Sequence, residues 1–226
     1  MTGGRASDCT IKSRGLSGLA QMRARLLAMD SGSIGIAAKA VRKGLLVVYP
    51  TDTVYGLGCD PLNHAAARRL FEAKGRESKP VPVLCSTAEK AEELVKLSDR
   101  AAELSREFWP GALTIVAPLR RPVAPLLTQG GDLLGVRVPA HAGCLELIAA
   151  CGGWLTGTSA NRSGEPSARS AGEALDALGG SVDVVLDGGR LSGQESTVLK
   201  VVGDEVTILR TGPVGVGNEG KGRRTS

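Results

Sequence analysis

The stretch Val47–Pro61, VVYPTDTVYGLGCDP, begins as a buried strand and ends with residues a buried strand does not need. Its apolar run stops at Tyr49-Pro50, where proline has no N–H to offer a sheet ladder. Two threonines then flank an acid (Thr51, Asp52, Thr53), and Tyr55, Gly56 and Gly58 follow. The whole chain has 2 tyrosines, and both are here, among small hydroxyl and glycine residues.

Outward from this segment the pattern alternates between helix and strand. Leu19–Met29 and Ile36–Gly44 read as helices, the second stopped by Gly44. Leu45–Tyr49 is a buried strand, His64–Lys74 a helix and Val81–Cys85 a short strand. Ser86 and Glu89 form an S-x-x-E capping box that opens a helix over residues 88–97. Strands follow over 112–118 and 135–139, then a helix over 144–151 and a strand over 154–160 that runs into a loop. Ser170 and Glu173 cap a further helix, and strands over 182–189, 196–202 and 205–210 finish the pattern. Several strands succeed one another with no helix between them, so the fold class is a mixed α/β sheet rather than strict βαβ winding. One domain is expected over 17–213, between a flexible N-terminal segment (1–16) and a flexible basic tail (214–226).

Composition excludes several function classes. At 226 residues, with 42% apolar and 23% charged residues, the chain can bury an ordinary core. Aromatics make up 3%, too few for a wall of stacked rings against bases. No run approaches the roughly 18 apolar residues of a membrane span, and charges interrupt the N-terminus where a signal peptide would be apolar, so a cytoplasmic protein without membrane contact is expected. Five cysteines without a Cys-x-x-Cys pair read as reduced, mostly buried thiols, and with His64 and His141 as the 2 histidines a zinc site is not expected. The net charge of +5 sits at the ends: residues 1–43 carry 8 Lys/Arg against 2 acids, residues 44–209 carry 16 against 20, and residues 210–226 carry 4 against 1. Basic ends can touch RNA, or can simply be solvated.

Familiar catalytic motifs are missing. Gly215–Gly220 satisfies G-x-G-x-x-G, but no helix follows to present its N-terminus to a phosphate. There is no P-loop and no G-x-S-x-G elbow. His141 follows Val138-Pro139-Ala140 as a helix start would. What remains is a series of polar clusters at element ends: Thr51 to Thr53, then Lys74, Arg76, Ser78 and Lys79, then Thr114, Arg137, Thr158 to Ser167, Glu195 to Val198, and Arg210. Lys-x-Arg at a helix end grips phosphate or carboxylate, or is a solvated end favoured by the helix dipole. Arg137, between Val136 and Val138, is on an edge or is held by an anion. Ser159 and Asn161 point the same way if extended, and can bind a ligand or cap the next helix. These cations and several hydroxyls at element ends suit a polyanion together with a small zwitterion.

The same clusters, in the same order, resemble the YrdC/TsaC family of L-threonylcarbamoyladenylate synthases in its short single-domain form. The resemblance is carried by YPTDTVYGLGCDP, KGRESKPVPVLCS, FWPGALTIV, GVRVPAH, TSANRSGEPS, the DGG and ESTV segments, and LRTGP, over about residues 34–213. It implies a YrdC-like twisted mixed sheet flanked by helices, with a positively charged concave cleft. It also implies a nucleotidyltransferase that joins L-threonine, bicarbonate and ATP, with Mg2+ accompanying the ATP and no organic cofactor. The products are threonylcarbamoyl-AMP and pyrophosphate, the former supplying modification of adenosine 37 in ANN-decoding tRNAs. Partners implied are the downstream threonylcarbamoyl-transferase machinery and a tRNA contact.

By the same resemblance, Lys74, Arg76, Ser159 and Asn161 form the catalytic set. Arg76, Lys79, Ser159, Asn161, Ser167 and Arg210 bind ATP; Thr51, Thr53, Arg137 and Ser196 bind threonine. Tyr55 and the glycines after it shape the cleft floor. Many relatives carry a histidine in the strand after Lys-x-Arg, where this chain has Leu84 or Cys85. Two other readings stand beside this one. The first is a non-catalytic double-stranded RNA or tRNA platform of the same fold. The second is the carbamoyl-transfer domain of hydrogenase maturation factors, which carries an acylphosphatase unit and zinc-finger cysteines that this chain lacks.

Overall fold

In the computed structural model, which describes residues 24–75, 79–191 and 193–215, the segment VVYPTDTVYGLG folds back on itself. Tyr49 pairs antiparallel with Gly56, and Val47 with Gly58. The glycines are there for Tyr49. A Cβ at Gly56 would lie 2.9 Å from the Tyr49 ring, and one at Gly58 would meet that ring at 2.7 Å, Leu155 at 2.8 Å and the Thr156 carbonyl at 2.9 Å. The ring therefore lies across a strand stripped of side chains, and its hydroxyl donates to the Thr156 carbonyl at 2.7 Å. Gly58→Ala is expected to cost about 1–3 kcal/mol, the range for overpacking a filled core, because backbone and ring close the space from both sides. Denaturant unfolding of the variant measures this as a lowered midpoint at unchanged slope.

The elements run β1 (Arg25–Ala28), α1 (Ser31–Arg42), β2 (Val47–Tyr49), β3 (Gly56–Gly58), α2 (His64–Lys74), β4 (Val83–Cys85), α3 (Ala88–Glu92), α4 (Asp99–Phe108), β5 (Leu113–Pro118), α5 (Pro125–Thr128), β6 (Leu133–Arg137), α6 (Ala142–Ala150), β7 (Trp154–Thr156), β8 (Thr158–Ser159), α7 (Ala171–Leu178), β9 (Val184–Asp187), β10 (Thr197–Val202) and β11 (Glu205–Arg210). They form two mixed sheets flanked by helices, ordered β1-β9-β2-β3-β8 and β11-β10-β5-β6-β4-β7. The residues read as one strand over 154–160 belong to both. The chain changes sheets at Gly157, whose N–H donates to the Pro82 carbonyl and whose missing Cβ would sit 2.5 Å from Leu84. Thr156 also clasps Cys59: its carbonyl side is held by Tyr49, and its hydroxyl accepts from the Cys59 N–H at 2.8 Å.

Period-two alternation gives the larger sheet two different faces. Leu113, Ile115, Leu134, Val136, Val83 and Leu199 face the main core. The alternate residues on the same strands face an open cleft. A second core of Ile34, Ala37 and Val41 from α1, Leu147 and Ile148 from α6, and Val184 and Leu186 from β9 packs on the other side of the smaller sheet. Asn63 caps α2 by accepting from the Ala65 and Ala66 N–H groups, and left-handed Gly75 ends that helix, delivering Lys74 to the cleft.

Three expectations are corrected. Within 24–29 the chain is strand β1, not helix, because it pairs parallel with β9 from Arg25↔Val184 to Ala28↔Asp187; Asp30 then caps α1. Ser86 does not cap α3, because its N–H is still tied to the Gly153 carbonyl; Thr87 does, accepting from the Lys90 N–H, and the helix ends at Glu92. Helices α4 and α5 were not anticipated. Val214 is still fastened to the fold, exchanging bonds with the Thr197 hydroxyl, so docked chain extends past residue 213. The proposed flexible segment 1–16, residues 216–226 of the proposed tail, and most of the Gly215–Gly220 motif lie outside the described residues. No described helix is long and apolar enough to cross a membrane.

Candidate active site

The cleft measures about 860 Å3 and lies between the outward face of the larger sheet and two loops of the smaller one. Its floor is built row by row from the strand register. Val198, Thr114, Arg137 and Leu84 lie side by side across β10, β5, β6 and β4, and Lys200, Val116, Gly135 and Pro82 make the next row. Thr51, Thr53, Val54 and Gly56 line one wall, and residues 157–165 line the other. The cations on this lining are Lys74, Lys79, Arg137, Lys200 and Arg210, against Asp132, Glu165 and Glu195.

Arg137, which the sequence shows between two valines, is the outward member of an alternating strand: Val136 is core and Arg137 is cleft. The residue is 5% exposed, and its guanidinium is held at three points. Nε donates to the Gly111 carbonyl at 2.8 Å, Nη1 to the Thr53 hydroxyl at 3.1 Å, and Nη2 to Asp52 at 2.6 Å. A guanidinium has five N–H donors, so two remain without a protein partner. Of the two readings of Arg137, edge or anion, the anion holds, and it is Asp52.

The threonine pair is ordered by proton count. The Thr51 hydroxyl donates to the Val54 carbonyl at 2.7 Å, so in its 2.9 Å contact with Thr53 it is the acceptor. It also accepts from the Thr53 and Val54 N–H groups at 3.1 and 3.2 Å. Thr51 is thereby saturated and anchors the turn, while Thr53, which accepts from Arg137, keeps acceptor capacity toward the cleft.

Lys74 is 2% exposed, and its ammonium lies among the Ser159 carbonyl (2.6 Å), the Asn161 carbonyl (2.8 Å) and Asn161 Oδ1 (3.3 Å). The Ser159 hydroxyl donates to Asn161 Oδ1, and Asn161 Nδ2 donates to the Glu165 carbonyl. Lys74 thus holds the 159–165 loop rather than standing open to a phosphate. The Ser196 hydroxyl is shared with Thr114 at 2.9 Å and accepts from Arg210 Nη2 at 3.1 Å. Arg210 also pairs with Glu195, whose other oxygen accepts from Ser167. Ser167 stands behind Glu195 and does not line the cleft. Lys79 does line it, and Arg76 lies outside the described residues.

Tyr55 turns away from the cleft: its hydroxyl donates to the Gly189 carbonyl at 2.6 Å, so of the expected floor residues Gly56 faces the site and Tyr55 does not. Of Leu84 and Cys85, Leu84 lies on the cleft floor and Cys85 does not. Burial pushes the Cys59 and Cys151 thiols up to about 12, and those of Cys85 and Cys144 higher still, so the described cysteines are poor nucleophiles. His141 caps α6, its Nδ1 accepting from the Cys144 N–H. Sequence reasoning gave no role to Asp52 or Lys200. The second was detectable, because Ser196, Val198 and Lys200 share one face of a strand.

The family model Sua5_yciO_yrdC, described as "Telomere recombination", matches residues 39–212. A threonylcarbamoyl-AMP synthase of Pyrococcus abyssi is 39% identical over 187 residues, which is 81% of this chain and 55% of the relative. The enzyme of the same name from Bacillus subtilis is 36% identical over 192 residues, 83% of this chain and 56% of the relative. The crystal structure of P. abyssi Sua5 complexed with L-threonine superposes with a TM-score of 0.78 at 38% identity, covering 84% of this chain and 57% of that one. The chain therefore spans little more than half the length of these three relatives.

Proposed function

This chain belongs to the Sua5, YciO and YrdC family, and from that premise we propose that it is a threonylcarbamoyl-AMP synthase, a nucleotidyltransferase acting on ATP, L-threonine and bicarbonate. The observation that carries the reading is the fixed Arg137 guanidinium, with two N–H groups left over, in a cleft that also presents the Ser196 hydroxyl and a surplus of cations. A planar two-point fork suits a carboxylate. The Thr53 oxygen is placed to accept from the amine or hydroxyl of the same amino acid. Lys79 and Arg210, with Arg76, attract the nucleotide, whose contacts also include Ser159 and Asn161 on the loop that Lys74 holds. A cleft of about 860 Å3 accommodates a nucleotide and an amino acid together, whereas a duplex RNA platform asks for an open surface.

The threonine amine takes up bicarbonate as a carbamate with loss of water. A carbamate oxygen then attacks the α-phosphorus, the new P–O bond forms as the bond to the β-phosphate bridge breaks, and pyrophosphate leaves with the electron pair. No covalent enzyme intermediate is required; positioning and charge stabilisation carry the step. Among the described residues no three His, Cys, Asp or Glu side chains cluster to hold a metal. Mg2+ enters with ATP as part of the substrate. The product suits transfer to tRNA by a separate transferase in the cytoplasm. Pyrophosphate release tests the reading: it should require ATP, threonine and bicarbonate together, and threonine-independent release of free phosphate would make the protein a plain ATPase instead.

A further inference from the structure

The cations of the cleft are not equally available. Arg137 is paired with Asp52, and Arg210 with Glu195. Lys74 is engaged by the carbonyls of the 159–161 loop. Among the described residues, Lys79 and Lys200 are the lining cations whose side chains have no hydrogen bond or ion pair to the protein. They belong to one end of the site. Lys200 is opposite Val116 on β5, Val116 is opposite Gly135 on β6, and Pro82, three residues after Lys79, packs against Gly135. That row is displaced along the sheet from the row of Arg137 and Thr114, which adjoins Ser196. Gly135 contributes no side chain to the row, so the floor between the two lysines is low.

We propose that Lys200 is a binding residue for the polyphosphate tail of ATP, and for the pyrophosphate it becomes, acting with Lys79 at the end of the cleft away from Arg137. The inference rests on the reading of the cleft as an ATP site. A paired guanidinium can still donate its spare N–H groups at short range but has a reduced field at distance, whereas an unpaired ammonium over the largely apolar floor of Val116, Val198 and Leu133 keeps its full field. A triphosphate carries charge that must be met somewhere, and the uncommitted lysines are where it is met most cheaply. Lys200 lies on a β-strand, so its ammonium is aimed by the register and not by a loop.

Calorimetric titrations of the wild type, Lys200→Met and Lys200→Arg with ATP, AMP, pyrophosphate and threonine test this. Lys200→Met should bind ATP and pyrophosphate about ten-fold more weakly, the loss of one charge-assisted contact. Its affinity for AMP and threonine should stay within about two-fold, its melting temperature should be unchanged, and Lys200→Arg should restore most of the loss. Equal ATP and pyrophosphate affinities in Lys200→Met and wild type would overturn the proposal. So would an equal loss for AMP, because Lys200 would then act on the nucleoside side. Pyrophosphate binding that depends on Lys200 in a protein indifferent to ATP would uphold the residue's role and overturn the ATP reading; ATP binding indifferent to Lys200 would do the reverse.

Discussion

Arg137→Ala is expected to lose about 3 kcal/mol of folding stability, the lower end of the range for removing one partner of a buried ion pair. The lower end applies because the Asp52 side chain is 15% exposed and water can partly compensate it. Three groups lose a partner at once: Asp52, the Gly111 carbonyl and the Thr53 hydroxyl. The hydroxyl chain from Thr53 through Thr51 to the Val54 carbonyl loses its outer donor, so the wall of the cleft loosens with the floor. Threonine affinity should fall by more than about ten-fold beyond the effect on folding, since the fork proposed for its carboxylate is gone. Arg137→Lys keeps the charge but reaches one of the three partners. It should melt below the wild type with or without ligand and still bind threonine weakly. Chemical unfolding with parallel threonine titration separates the two effects; an unaltered midpoint in Arg137→Ala would mean that the Asp52 pair contributes nothing to the fold.

Lys74→Met should reduce turnover by about a hundred-fold while leaving threonine affinity nearly intact, because it displaces a loop and not a ligand contact. The Lys74 stem is buried and methionine fills its volume, but nothing replaces the ammonium among the carbonyls of Ser159 and Asn161. Buried acceptors left unpaired cost roughly 1–3 kcal/mol each, so the 159–165 loop will rearrange to hydrate them, taking Ser159 and Asn161 out of position. A KM for threonine close to that of the wild type with a collapsed kcat is the expected signature. A raised threonine KM with normal kcat would place Lys74 at the amino-acid end and contradict the loop-holding role.

The legible parts of this fold were those governed by local pattern. The apolar runs at 45–49, 112–118 and 196–202 read directly as strands, and His64–Lys74 was legible to the residue, bounded by Asn63 and Gly75. Arg25–Ala28 was misread because Arg, Leu and Ala all favour helix, while pairing with β9, more than 150 residues later, decides otherwise. Helix α4 could have been found from Ser98, whose hydroxyl caps it, and from Ala101, Leu104 and Ser105 on its buried face. Within the site, the residues that face the cleft could be picked out as polar clusters, but their partners could not. Arg137 on β6 of the larger sheet meets Asp52 on the loop after β2 of the smaller one, 85 residues earlier, and Glu195 meets Arg210 across the β10–β11 pair. Alternation alone says that Arg137 and Lys200 leave the core; it does not say that one is neutralised and the other is not.

The most direct test of the central claim is product identification by mass spectrometry after incubation with ATP, Mg2+, L-threonine and 13C-bicarbonate. The expected product is an adenylate whose mass equals threonylcarbamoyl-AMP, raised by one unit from the label, absent when threonine or bicarbonate is withheld and strongly reduced in Arg137→Ala. An unlabelled threonyl-adenylate, or AMP formed without any threonine in the product, would contradict it.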